Sequence, residues 1–260
     1  LDRSSAASDV YKRQPHNFKA NNWEKWWQFK EDIKKPIEWQ IDLSKDSNFG
    51  SDIKVEEKDY FATNGLKIIK TTADKIYIQQ LGGKTLRQVG ARGINGTFFD
   101  TARPELPEST WGIAVNKDKP IGPNADKNHW RENVKRATMI YGDGRVTVEY
   151  ANNLNDIKRD KIDWAIGGVG LYPAYDPNYE QVPKDILRHT THTGIAFKGK
   201  EIYLIVSEPC SMAVFKDKVK ALGIDGAIAL DGGGSTQMFY KNNFGVHTSR
   251  RLNNIVGVRS

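Results

Sequence analysis

Asp231 opens the string Asp231-Gly-Gly-Gly-Ser235, directly after the apolar run Gly226–Leu230. Three glycines in a row let a backbone turn sharply and bring its N–H groups close to a ligand, so Gly232, Gly233 and Gly234 form a candidate anion nest. No Gly-Lys-Ser/Thr follows, so the string is not a P-loop, and its spacing is not the GxGxxG dinucleotide fingerprint. A flexible turn would explain a generic triple glycine. An Asp at the end of a buried strand tips the reading towards function. A second carboxylate, Glu208, lies just past the apolar run Glu201–Val206.

Asn95 sits in Gly93-Ile-Asn-Gly-Thr-Phe-Phe-Asp100. Its amide can donate and accept, which suits a sugar hydroxyl or a phosphoryl oxygen, while Phe98 and Phe99 should anchor the segment in the core. Taken alone, an Asn-Gly turn is the better reading of it. His189 and His192 are three apart. A strand there would put the rings on opposite faces, so a charge-stabilising or proton-carrying His192 is the better expectation than a metal pair. Neither a metal nor a cofactor is expected.

The elements that must hold these groups can be read from periodicity. Glu201–Val206 is a buried strand. Ser211–Leu222 puts Met212, Phe215, Val219 and Leu222 on one helical face, and Gly223 is a natural stop. Gly226–Leu230 is another buried strand. This β-α-β pattern predicts parallel strands ending at one edge, where α/β units bind ligands. Glu208 and Asp231 are therefore expected to face a common cleft with Asn95. Gly142-Asp-Gly144 and Lys198-Gly-Lys200 predict two β-hairpins, and Leu171–Pro183, with three Pro and three Tyr, a long surface loop. The expected fold class is α/β in the mixed α+β sense: a twisted mixed β-sheet with flanking helices, a C-terminal β-α-β unit and β-hairpins.

The 260 residues carry 38% hydrophobic and 27% charged side chains, with no apolar run near the ~20 residues of a membrane helix. A single cysteine, Cys210, excludes an internal disulfide. The net charge of +7 suits an anionic partner, and Arg188, His192 and Arg250 or Arg251 are expected at the cleft rim. The basic residues are dispersed and no helix-turn-helix, RRM or zinc pattern occurs, so nucleic acid is not the expected partner. Residues 1–14 read as a translated sequencing-adapter artefact, because Asp9–Gln14 is what GAT GTG TAT AAG AGA CAG encodes. Residues 15–47, with Trp23, Trp26, Trp27, Lys30 and Ile33 at helical spacing, read as a helical extension, and residues 48–260 as one domain. An extracellular or cell-envelope location is expected.

Together GINGTFFD, WAIGG, the HTG–strand region and ALDGGGSTQM resemble, in order and spacing, the phosphodiester glycosidase domain family, which acts on N-acetylglucosamine-1-phosphodiesters. The resemblance spans roughly Leu66 to Val258. It implies a mixed α/β fold and hydrolysis of a sugar-1-phosphodiester at the glycosidic bond. It carries over Asn95, Phe98, Asp231, Gly232, Gly233, Gly234 and Ser235 as site residues. The family's Arg-Thr-Ala-Ile-Gly is here Thr190-Thr-His-Thr-Gly194. Thr191 and Gly194 match, the Arg is absent, and Arg188 or His192 could supply the positive charge from nearby.

Cleaving C1–O of such a diester expels a phosphate monoester whose second pKa is near ~6, so a strong general acid is less needed than for an ordinary glycoside. The larger demands are a carboxylate against the oxocarbenium-like centre and donors for the phosphate. Asp231 and Glu208 are the candidates for the first, and the Gly232–Gly234 amides, Ser235 and His192 for the second. Trp111, Tyr172, Tyr175 and Tyr179 are candidates for stacking on sugar. The expected partner is a phosphorylated carbohydrate. The alternative function is a non-catalytic glycan- or cell-wall-binding module of bacterial or phage origin.

Overall fold

The apolar runs become strands buried on both faces. The computed structural model describes residues 59–128, 133–241 and 245–259, all within the unit Val55–Ser260. The expected artefact at 1–14 and the Trp-rich extension at 15–47 lie outside the described residues. Three sheets make up the described fold. The first has six strands in the order β1 (Tyr60–Thr63), β2 (Leu66–Thr72), β12 (Glu201–Ser207), β11 (Thr193–Lys198), β13 (Gly226–Ala229) and β10 (Val169–Tyr172). The second runs β15 (Gly245–Val246), β14 (Met238–Phe239), β4 (Gly93–Asn95), β16 (Leu252–Val258) and β3 (Ile76–Lys84). The third runs β6 (Lys119–Pro120), β5 (Ala114–Asn116), β9 (Trp164–Gly167), β7 (Arg136–Gly142) and β8 (Arg145–Ala151). Helices are few: α1 (Leu86–Val89), α2 (Lys184–Leu187) and α3 (Met212–Lys220). The class is α+β, weighted towards β.

Side-chain alternation explains why the first sheet is covered on both sides. Ile195 and Phe197 of β11, with Leu204 and Val206 of β12, join Ile78, Ile94 and Val256 of the second sheet and Met139, Trp164 and Ile166 of the third in one core. Ala196, Tyr203 and Ile205 point the other way, onto Met212, Phe215 and Val219 of α3. That helix is capped by Ser211, whose hydroxyl accepts from the Val214 N–H at 3.3 Å, and Gly223 (φ +68) follows it. None of the described helices is long and apolar enough to cross a membrane.

Two expectations are refined. Every strand ladder among the described residues is antiparallel, so the single mixed sheet becomes three antiparallel ones. The strands of the β-α-β unit do run parallel, but β11 lies between them, antiparallel to both. The reason is the tight turn at Gly199-Lys200, which folds β11 back on β12, so α3 delivers β13 to the free side of β11. The register then sets Thr193 opposite Val206 and Gly194 opposite Ala229. The start of β11 and the ends of β12 and β13 thus share one edge.

Candidate active site

Asp231 follows β13 by one residue, and its main chain is held from two sides. Its N–H donates to the Gly96 carbonyl at 3.3 Å, and its carbonyl accepts from Asn95 Nδ2 at 2.7 Å. Asn95 Oδ1 accepts from Thr193 Oγ1 at 2.9 Å and from the Gln237 N–H at 3.0 Å. Asn95 is 1% exposed, and both ends of its amide are spent on protein. The expectation that it binds substrate is corrected: Asn95 staples β4, β11 and the glycine loop together, and its burial keeps it from the cleft. The sequence reading also missed Asn254 and Gln237. Asn254 Oδ1 accepts from the Thr97 N–H at 2.8 Å, and a Cβ on Gly96 would lie 2.0 Å from that oxygen. Gln237 Nε2 donates to the Arg250 carbonyl at 2.7 Å and so fixes the main chain of an arginine on the cleft wall. A polar residue in GSTQM, beside otherwise apolar strand positions, was the available signal.

The glycine turn is not a cradle of three amides. The Gly233 N–H donates to the Thr191 carbonyl at 2.8 Å, and Thr191 Oγ1 donates to the Gly233 carbonyl at 3.1 Å. The Gly232 N–H and the Ser235 hydroxyl turn back onto the Asp231 carboxylate. Thr191 and Ser235 therefore shape the loop and the carboxylate rather than offering donors to a ligand. What the glycines provide is room. A Cβ on Gly233 would sit 2.8 Å from Arg188 Nη2, and one on Gly234 would sit 3.0 Å from Arg250 Nε and Nη2. Two guanidinium groups lie across a turn that any side chain would push them from. The charged groups over this turn are planar, permanently charged forks, suited in type to an anion.

These groups line a cleft of about 290 Å³, with Phe98, Trp111, Asp185, Arg188, His192, Asp231 and Arg250 on its walls. A wider groove of about 480 Å³ adjoins it, sharing Thr101, Gly234 and Arg250. Arg251 lines only that groove, and its guanidinium is held by Glu105 at 3.0 Å. Trp111 is 38% exposed and presents an aromatic wall. The other stacking candidates lie elsewhere: Tyr172 and Tyr175 beneath Lys220 and Lys216, and Tyr179 edge-on to Tyr150.

Asp231 Oδ2 is buried and has no hydrogen-bond partner among the described residues. Burial pushes the carboxyl up to about 6, against the opposing pull of the Ser235 hydroxyl, Arg250, the Gly232 N–H and Arg188. His192 is 1% exposed and stacked on Phe215, centroids 5.3 Å apart. Its Nε2 lies 2.8 Å from the Cys210 carbonyl, which can only accept, so Nε2 carries the proton. Burial, followed by Arg188 and His189, holds its pKa below the usual imidazole range. Of the two roles expected of His192, the positive charge does not suit a ring held neutral; the permanent charges on the cleft wall are Arg188 and Arg250. Glu208 is also displaced from its expected place. Ser207 still pairs with Leu66, so the Glu208 N–H donates to the Gly65 carbonyl at 2.9 Å. Its exposed carboxylate lies over Gly65 beside Lys218, outside the cleft. The second carboxylate on the cleft wall is Asp185.

The sequence pattern of the phosphodiester glycosidases matches residues 91–259, the stretch that builds this edge. The chain belongs to the phosphodiester glycosidase family. No curated protein matches it. Among solved structures, the zebrafish N-acetylglucosamine-1-phosphodiester alpha-N-acetylglucosaminidase catalytic domain, auto-inhibited by its pro-peptide, is similar at 12% identity, over 75% of this chain and 76% of that one, with a TM-score of 0.48. A hypothetical protein from Synechocystis is similar at 12% identity, over 77% of this chain and 61% of that one, with a TM-score of 0.45. In this family member the residue at position 190 is Thr190, and the guanidinium over the glycine turn belongs to Arg188, two residues upstream.

Proposed function

We propose that this chain hydrolyses the glycosidic bond of a sugar-1-phosphodiester, with the sugar against Trp111 and the phosphate between Arg188 and Arg250. The observation that carries the reading is the pairing of opposite needs in one cleft. A carboxyl with one unpartnered oxygen stands beside two guanidinium groups that no carboxylate within 4 Å neutralises among the described residues. The cations suit the departing phosphate, whose charge grows as C1–O breaks. The carboxylate suits the positive charge growing at C1. Family membership supports the reaction class. N-acetylglucosamine is the sugar to try first. A non-catalytic glycan-binding module would share these groups, and turnover is what separates it from the enzyme.

The test is turnover of an aryl-phosphoryl N-acetylglucosamine, followed as release of the aryl phosphate. Asp231→Asn keeps the size of the side chain and an acceptor for Ser235 while removing the charge. Its kcat should fall by ~10²–10³, the usual cost of losing one preorganised electrostatic contact. Turnover equal to wild type in the Asn variant would remove Asp231 from the chemistry.

A further inference from the structure

His192 is more than a packing residue. Its Nε2–H is committed to the Cys210 carbonyl at 2.8 Å, and its backbone N–H donates to Ser207 Oγ at 3.0 Å. Phe215 fixes the ring plane, with an interplanar angle of 22°. A ring held at its backbone, its face and one nitrogen has one site left. In the neutral form that site, Nδ1, is a lone pair. Nδ1 lies 3.7 Å from where a Cβ on Gly232 would stand, and His192 is part of the cleft wall with Asp231. The bond to Cys210 fixes the tautomer, and it leaves the acceptor nitrogen of a cleft-wall residue unspent.

We infer that His192 Nδ1 is the general base that takes the proton of the attacking water, a role that rests on the glycosidase reading above. Water oxygen bonds to C1, the bond from C1 to the bridging oxygen breaks while the oxygen stays on phosphorus, and the electron pair leaves on the phosphate between Arg188 and Arg250. The proton of the water passes to Nδ1, then to solvent. The charged and titratable groups around the ring are Arg188, His189 and Asp231, from the segment before β11 and the loop after β13. Burial and Arg188 keep the imidazole neutral between turnovers, and the Asp231 carboxylate on the same cleft wall steadies the imidazolium formed during one.

His192→Gln separates this role from a structural one. A Gln side chain places an amide N–H near Nε2 and keeps the bond to the Cys210 carbonyl, but it has no basic nitrogen. Expected is a fall in kcat of ~10²–10⁴ with little change in KM or in melting temperature. Sodium azide, a nucleophile with no proton to lose, should restore turnover of the Gln variant and yield the glycosyl azide. Retention of kcat in the Gln variant, or a loss that azide does not relieve, overturns the assignment while leaving the glycosidase reading standing. A wild-type chain that releases no aryl phosphate overturns both.

Discussion

Asp231 sets a conflict between stability and chemistry that can be measured. Its carboxyl titrates at about 6 in the folded chain and near the ordinary 3.8 when unfolded. Between these values the folded state holds the extra proton, so stability falls as pH rises through the window and stays lowered above it. Two units correspond to about 3 kcal/mol. Denaturant melts of wild type and Asp231→Asn should coincide near pH 4. By pH 7 the Asn variant should be the more stable by up to that amount, and wild-type turnover should rise with a pKa near 6. Parallel stability curves at all pH values would show that the carboxyl is not strained. Asp231 and Phe98 were legible from the sequence, because a carboxylate after a buried strand and an aromatic after a turn have few other places to go. Asn95 and Glu208 were misread. The side-chain roles of both are set by long-range pairing, to Asp231 and Gln237 in one case and to Gly65 in the other, which local pattern does not encode.

At the scale of elements, the glycine turn and its two arginines form one unit. Gly234→Ala meets only the far end of the flexible Arg250 side chain, at 3.0 Å, so the fold should tolerate it. The displaced guanidinium should weaken phosphodiester binding by about tenfold, in line with one charge-assisted hydrogen bond, with little change in melting temperature. Gly233→Ala combines displacement of Arg188 with a backbone at φ +59, which adds about 1–2 kcal/mol of strain. A Gly234→Ala variant with unchanged KM would mean that Arg250 does not touch substrate. Both hairpins were legible because the turns demand them: Asp143 and Gly144 adopt φ +51 and +74, and Gly199 φ +56. The β-α-β unit was legible as three elements but not as neighbours. Helical and strand periods reveal element type, whereas the choice of β11 as a central strand is made by the hairpin's own closure.

Across the whole molecule, one edge gathers groups from distant parts of the chain, and the insertion of β11 between β12 and β13 is what joins them. That arrangement has a kinetic consequence. The β11–β12 hairpin and α3 are local and can form early, but β13 must find the far side of β11, and Asn95 must reach across 136 residues to the Asp231 carbonyl. Closing such loops is slow relative to local structure. On dilution from denaturant, far-ultraviolet ellipticity should recover before the ability to release aryl phosphate. The glycine loop should be among the last backbone segments to gain protection from amide exchange. Asn95→Ala should lengthen that lag more than it slows the recovery of ellipticity, because it removes the bond that ends the search.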